Sequence, residues 1–572
     1  MKRIIVAFII LLTSVISFCN PGNLDTSFNQ ASINGTIPGT AVVNLTTAAP
    51  SQTINSSANG IALQTDGKVV IAGYGTYPTA EQLAVARFLP DGTLDTTFNA
   101  GGTPGYNTIQ LSGASESVAT AIAIDYASDN IIITGYALIS GVYKVFVARY
   151  LPDGTFDTTF NTNGFVELLI PGSATGCKAY GLCIQANSNI IIVGEYNTQS
   201  GIFIARILGS GGSAGTLDTT GFGSPHGYAT LFTGIDSGAI AVGVDPITNK
   251  FIVAGFTTVS SIQQFFVARY TTTGLLDTIF TNPTTPYGTN GQGYTTTDIS
   301  GGAIAYALSV KGDGTALVAG NNIESSLSPY PIALAQFTPQ GLPDVQFNQT
   351  GIVLTQIIGD EDSISAFATG VSTDNNGKIV VAGNVNFTSG QTDTFFARYN
   401  ANGSLDTTLT REGYIIPSIN NGTQSNGLAL ELDGKAITTG YTILESSNIQ
   451  MIVIRMIGGA LDNQATSSIS QYGFNSQFLS QFLYPSFYVT VISDPAVQSA
   501  TLDALNTIIE NYSADYSIQP DFNYIAYLYL LQTELDRAQA QLLDLYGITS
   551  GDEINLCFTY IQERVYQLIQ PS

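Results

Sequence analysis

The sequence has no tryptophan, one histidine (His226), three methionines and four cysteines, and only 10% of its 572 residues are charged. A lone histidine removes most imidazole-based catalytic and zinc-site readings at once. Lysine and arginine together number 18 against 42 acids, a net charge of -24. Such a field repels a phosphate backbone, so nucleic acid is excluded as a partner. What is abundant is glycine, at 59 residues, and hydrophobic side chains, at 44%. That is ample material for a core and excludes global disorder.

Lys2 and Arg3 precede an apolar run from Ile4 to Leu12 and a small, polar stretch ending near Cys19. This is the layout of a signal peptide over residues 1–19, cleaved near residues 17–19, and the run is too short to span a bilayer. The expected location is secreted, periplasmic or cell-surface. A lipid anchor on Cys19 is disfavoured, because Phe18 stands where that motif wants a small residue. No later stretch is long enough for a membrane span, so the mature chain is expected to lack one. Export raises the question of a Cys177–Cys183 disulfide. Cys557 falls in an expected helix, as a buried thiol.

Internal repetition is the dominant signal. A Leu-Asp turn recurs as GNLDTSFN at Gly22, GTLDTTFN at Gly92, GTFDTTFN at Gly154 and GTLDTT at Gly215, then at Gly274, Gly341, Gly403 and Gly459. Successive aspartates stand about 56–70 residues apart, so eight markers bound seven units. Each unit opens with a short strand, such as NGIAL at Asn59 or YGLCI at Tyr180. Two of its columns hold only small residues: Gly60, Ala121, Gly181, Ala241, Ala307, Gly370 and Gly427, then Ala62, Ala123, Cys183, Gly243, Ser309, Ser372 and Ala429. Alternation across a strand makes one face flat and the other bulky, which suits stacked sheets. It also explains Cys183 without a disulfide. A hairpin, a second strand (VVIAGY), a third (AVARF) and a fourth (NTIQLS) follow.

Four short strands repeated seven times predict an all-β seven-bladed β-propeller over residues 22–462. The first Leu-Asp turn is followed by a lone strand, AVVNL, while the last unit lacks a fourth. Ala41–Leu45 is therefore expected to be the outer strand of the last blade, covering its edge. The run DGKVVIAGY, AVARF, PDGTLDTTFN resembles the bacterial delta-60 repeat family of propellers. That resemblance implies extracellular or surface proteins and no assigned chemistry.

The charged repeat positions are Arg87, Arg149, Arg206, Arg269, Arg398 and Arg455, with Gln336 in the remaining copy. Each arginine is expected to pair with the aspartate of its own Leu-Asp turn: Asp95, Asp157, Asp218, Asp277, Asp406 and Asp462 in that order. Buried charges must be paired, so these are structural. Asp344, opposite Gln336, is where the pairing should weaken. The Asp/Asn-rich turns lack calcium-loop spacing, and no cofactor is expected, calcium being the one possibility kept. Asp360, Glu361 and Asp362, in a loop entering a first strand, are the ligand- or cation-binding candidates. His226 is expected on a surface loop.

Beyond the repeat, residues 463–493 read as a linker and 494–572 as a small α-helical module. Asp494-Pro495 opens a helix to about Tyr512, a second runs from Asp521 to Tyr546, and Ser550 with Glu553 caps a third to about Leu568. These helices are expected to form a self-packed bundle, with a partner-binding or oligomerising surface as the alternative. No catalytic constellation emerges. The leading expectation is a non-enzymatic exported scaffold engaging extracellular protein or glycan. The alternatives are a carboxylate-dependent polysaccharide hydrolase or lyase and a calcium- or carbohydrate-binding lectin-like propeller.

Overall fold

A computed structural model describes residues 22–30, 37–46, 53–171, 173, 175–196, 201–231, 236–280, 292–323, 329–359, 362–374, 377–419, 422–431, 434–444, 448–457, 492, 494–514 and helical positions between 535 and 562. After β1 (Thr40–Val43) come six four-stranded sheets: β2–β5 (residues 55–109), β6–β9 (114–168), β10–β13 (177–231), β14–β17 (237–297), β18–β21 (303–355) and β22–β25 (363–415). The seventh is β26–β28 (423–456), completed by β1 in the order β1-β28-β27-β26. All seven are antiparallel blades of a β-propeller, numbered 1 to 7 in that order.

The closure is more extensive than one strand. Thr40–Val43 pairs with Ile454–Met451, as the isolated AVVNL motif predicts. In addition, Leu24 bridges Met456, the Asp25 amide donates to the Arg455 carbonyl at 2.9 Å, and Phe28 is fully buried. The N-terminal segment thus supplies both the Leu-Asp turn and the outer strand of blade 7.

Every inner strand carries a β-bulge at the same place, between Ala58 and Gly60 in blade 1 and between Ser425 and Gly427 in blade 7. The bulge pushes a carbonyl against the second strand, where each blade has a glycine, from Gly73 to Gly440. A Cβ on Gly135 would overlap the Val118 carbonyl oxygen, and one on Gly194 that of Lys178. The bulged residue projects sideways to the next blade. Asn59 Nδ2 donates to the Ala119 carbonyl at 2.8 Å, Thr120 Oγ1 to that of Ala179 at 2.8 Å, and Asn426 Nδ2 to that of Ala58 at 2.8 Å, across the seam. Bulges of this kind spread a strand and re-aim its side chains.

Cores form between blades. Cys177 lies in the cluster shared by blades 2 and 3, with Ile132, Val147 and Ile190. Cys183 packs against the cluster of blades 3 and 4. Both thiols are free. Six residues of extended strand separate them by about 20 Å, and the bulge between them turns their side chains to opposite faces. In the C-terminal region α1 (Pro495–Ala514) is capped by Asp494, whose Oδ1 accepts from the Ala496 amide at 2.8 Å. Val497, Leu505, Leu535, Leu542, Ile554 and Phe558 are buried, and Gln539 Nε2 donates to Asn555 Oδ1 at 2.8 Å. Among the described residues, no helix is long and apolar enough to cross a membrane.

Candidate functional site at the propeller mouth

The repeat arginines lie at the face that carries the Leu-Asp turns. Arg87 Nε is 2.8 Å from Asp95 Oδ2, Arg149 Nε 2.8 Å from Asp157, Arg206 NH2 2.7 Å from Asp218, Arg269 Nε 2.7 Å from Asp277 and Arg398 Nε 2.8 Å from Asp406. All are buried. Five of the six guanidinia, those of Arg87, Arg149, Arg206, Arg269 and Arg455, also reach further than their own turn. Arg87 donates to the Pro152 carbonyl of the next blade, Arg206 to Thr272 at 2.8 Å, and Arg455 to Pro90 at 2.7 Å. The phenylalanine of the turn lies beneath, as Phe98 under Arg87 at 4.8 Å and Phe28 under Arg455 at 4.5 Å. These arginines staple neighbouring blades, and their charge is fully engaged.

Arg455 departs from the expected pairing. Its Nε lies 2.9 Å from Asp25 Oδ2, because the N-terminal turn occupies the place of a seventh C-terminal one; Asp462 lies outside the described residues. In blade 5 Gln336 relays between charges, donating to Asp344 at 2.6 Å and accepting from Lys311 at 2.6 Å. Blade 6 has Leu409 where other turns place phenylalanine, and a cavity of ≈ 20 Å³ lies beside it, lined by Arg398, Phe396 and Met456.

Of the loop acids singled out from the sequence, Asp362 is exposed and its carbonyl accepts from the Thr388 amide at 3.0 Å; Asp360 and Glu361 lie outside the described residues. His226 is exposed, beside Tyr228. Among the described residues, no three His, Cys, Asp or Glu side chains gather as a metal site.

A different constellation forms on the opposite face, the mouth, where second-to-third strand hairpins meet the entries of first strands. The position after each second-strand glycine holds Tyr74, Tyr136, Glu195, Phe256, Asn321, Asn384 and Tyr441 in turn, aromatic or amide in every blade but the third. Over blades 1 to 3 it is joined by Glu81, Glu116, Tyr143, Lys178 and Tyr180. Lys178 Nζ sits 4.8 Å from the Tyr136 ring centroid and 4.1 Å from that of Tyr143, two rings packed edge-to-face at 5.6 Å. The same ammonium lies 3.8 Å from Glu195, whose carboxylate also accepts from the Tyr180 hydroxyl. Burial pushes the Glu195 carboxyl up against the pull of Lys178 and Tyr180. Burial, with Glu116 nearby, also raises Glu81. The Tyr136 hydroxyl is pushed up by burial and then by Glu116 and Glu81. The repeat arginines and aspartates do not point to this cluster, which combines a tyrosine shared by blades 1, 2 and 7 with residues particular to single blades. The signal in the sequence is Glu195, the one acid in a column otherwise aromatic or amide.

The family described as "Domain of unknown function (DUF5122) beta-propeller" matches residues 64–98, 127–160, 248–280 and 375–409. No curated protein sequence matches the chain. Among solved structures, the chain is similar to the polysaccharide lyase Uly1 at 10% identity and TM-score 0.40, covering 77% of this chain and 96% of that one. It is similar to Chaetomium thermophilum Sqt1 at 10% identity and TM-score 0.38, covering 75% and 100%. A third is the propeller domain of the Trilobed protease from Pyrococcus furiosus, at 8% identity and TM-score 0.35, covering 72% and 98%. The family matches fall in blades 1, 2, 4 and 6, so the chain carries repeats of a β-propeller repeat family.

Proposed function

We propose that this protein is an exported, non-catalytic binding propeller that presents its mouth over blades 1 to 3 to an extracellular protein or glycan. The observation that carries the reading is the convergence of Tyr136, Tyr143, Lys178 and Glu195, none of them part of the arginine–aspartate pairs, at one side of the mouth. The repeat arginines and their aspartates are committed to holding turns and blades together. Aromatic faces with a few fixed polar groups are the usual furniture of such sites. Export rests on the Lys2–Cys19 leader pattern, and the acidic surface suits a soluble extracellular ring.

The Glu81–Glu116 pair favours a second reading, a polysaccharide hydrolase or lyase, because burial and Glu116 together raise one carboxyl of a pair. Glycan-array binding, with and without chelator, separates these readings when run on wild type, Tyr136→Ala and Lys178→Ala. The binding reading expects retained glycan or protein ligands that both variants lose. Release of new sugar ends from a polysaccharide, abolished by Glu81→Gln, would replace it with the enzymatic one.

A further inference from the structure

Within the mouth, two carboxylates are left over once Lys178 and Glu195 have satisfied each other. Among the described residues, neither Glu81 nor Glu116 has a cation within 4 Å, and both act on the hydroxyls of Tyr136 and Tyr143. The described lysines outside the mouth are engaged elsewhere. Lys250, Lys378 and Lys435 reinforce Asp277, Asp406 and Asp25, Lys144 pairs with Glu167, and the repeat arginines are buried. The recess therefore has tyrosine faces, two uncompensated carboxylates and an acidic molecule around it. The chain's own ammonium, Lys178, is seated across two of those rings. An aromatic wall with adjacent carboxylates is the environment an ammonium group prefers over water.

We infer that the recess of Tyr74, Glu81, Glu116, Tyr136 and Tyr143 is a receptor for an ammonium group carried by the ligand, a lysine side chain of a basic partner segment. This deepens the binding reading above and rests on it. Lys178 is the internal counterpart of the incoming cation, and Glu81 and Glu116 supply the carboxylates that take the ligand. The net charge of -24 steers a basic segment towards the ring and makes its capture salt-sensitive.

The test uses a fluorescent hexalysine peptide and its fully N-acetylated form, titrated against the full chain at low and at physiological ionic strength. Glu81→Gln/Glu116→Gln is compared with Asp91→Asn/Asp153→Asn, which removes the same charge from the opposite face. Matched melting curves establish that both variants fold. The inference expects hexalysine binding that the acetylated peptide lacks and that weakens at least about fivefold in the mouth variant alone. Equal weakening in both variants, or none in either, overturns it. Glycan binding that survives Glu81→Gln/Glu116→Gln, with no hexalysine binding, overturns this inference and leaves the binding reading standing. Ligands indifferent to every mouth variant overturn both.

Discussion

Arg455 on the last strand and Asp25 near the start of the ring form a buried ion pair at 2.9 Å, which joins the chain's first turn to its last strand alongside the backbone bond from the Asp25 amide to the Arg455 carbonyl. Removing one member of a buried pair leaves the other desolvated and unpaired. Glu431, 3.3 Å from Arg455, retains part of the compensation. Asp25→Ala should therefore cost about 3 kcal/mol, the lower end for such a break, in urea denaturation. Phe28→Ala removes the fully buried ring beneath the same guanidinium and should cost about 3–5 kcal/mol.

The bulge glycines should be intolerant of even one methyl group. Gly194→Ala sets a Cβ into the Lys178 carbonyl, so the bulge and the second strand must part. A loss of about 3 kcal/mol or more in stability is expected, against none for Gly101→Ala, which meets nothing within 4 Å. Paired melting curves decide this. An equally mild effect at both sites would mean that the bulge can relax.

Three fully buried tyrosines hold equivalent places but differ in their hydroxyls. Tyr399 donates to Thr355 Oγ1 at 2.9 Å, whereas the hydroxyls of Tyr150 and Tyr270 have no partner among the described residues. An unpaired buried hydroxyl costs about 1–3 kcal/mol. Tyr150→Phe and Tyr270→Phe should each stabilise by about 1 kcal/mol, while Tyr399→Phe destabilises by a similar amount. Denaturation midpoints of the three single variants check the contrast in sign.

Acid should open the ring through its aspartates. Burial alone would raise the Asp406 carboxyl, but Thr408, Lys378 and Arg398 overcome it and hold the group at about 2, below its ordinary 3.8. Asp25, Asp95, Asp157, Asp218 and Asp277 are lowered in the same direction, again against burial. A depressed carboxyl stabilises fully above its unfolded value and loses that contribution as pH falls towards the folded one. Stability should be flat above about pH 4 from this source and fall steeply between about 4 and 2. Melting temperatures across that range should show the fall, with a shallower slope in Asp406→Asn.

The cavity beside Leu409 offers a gain. Leu409→Phe restores the side chain that other turns place under their arginine and fills the ≈ 20 Å³ space. An increase of about 1 kcal/mol in unfolding free energy is expected. A decrease would show that the seam between blades 6 and 7 is shaped around leucine.

The ring was legible because its determinants are local and repeated. A Leu-Asp turn, a strand with small residues at two fixed places and an arginine a short step upstream recur too often for any other architecture, and the stray AVVNL strand announced the closure. The bulge was not legible. Its carbonyl and the opposing glycine are adjacent only across a strand pair, so Gly73 and its counterparts read merely as part of a β-rich motif. The pairing of Arg455 was misplaced for a related reason: local spacing points to Asp462, while the geometry of a closed ring brings Asp25. The mouth cluster was hidden most deeply. Glu81, Tyr136 and Lys178 come from three blades and three unrelated columns, and only the stacking of blades brings them together.

The closing segment also sets an order of events. Residues 22–43 are made before any blade, yet their partners in β28 are made only after all the other blades have been synthesised. During synthesis Asp25 has no arginine, Phe28 no guanidinium above it, and Thr40–Val43 no neighbouring strand. The earliest part of the propeller to leave the ribosome is thus the last to find its place, and a chain truncated before Ile449, at the start of β28, would be an open arc with two unpaired edges rather than a smaller ring.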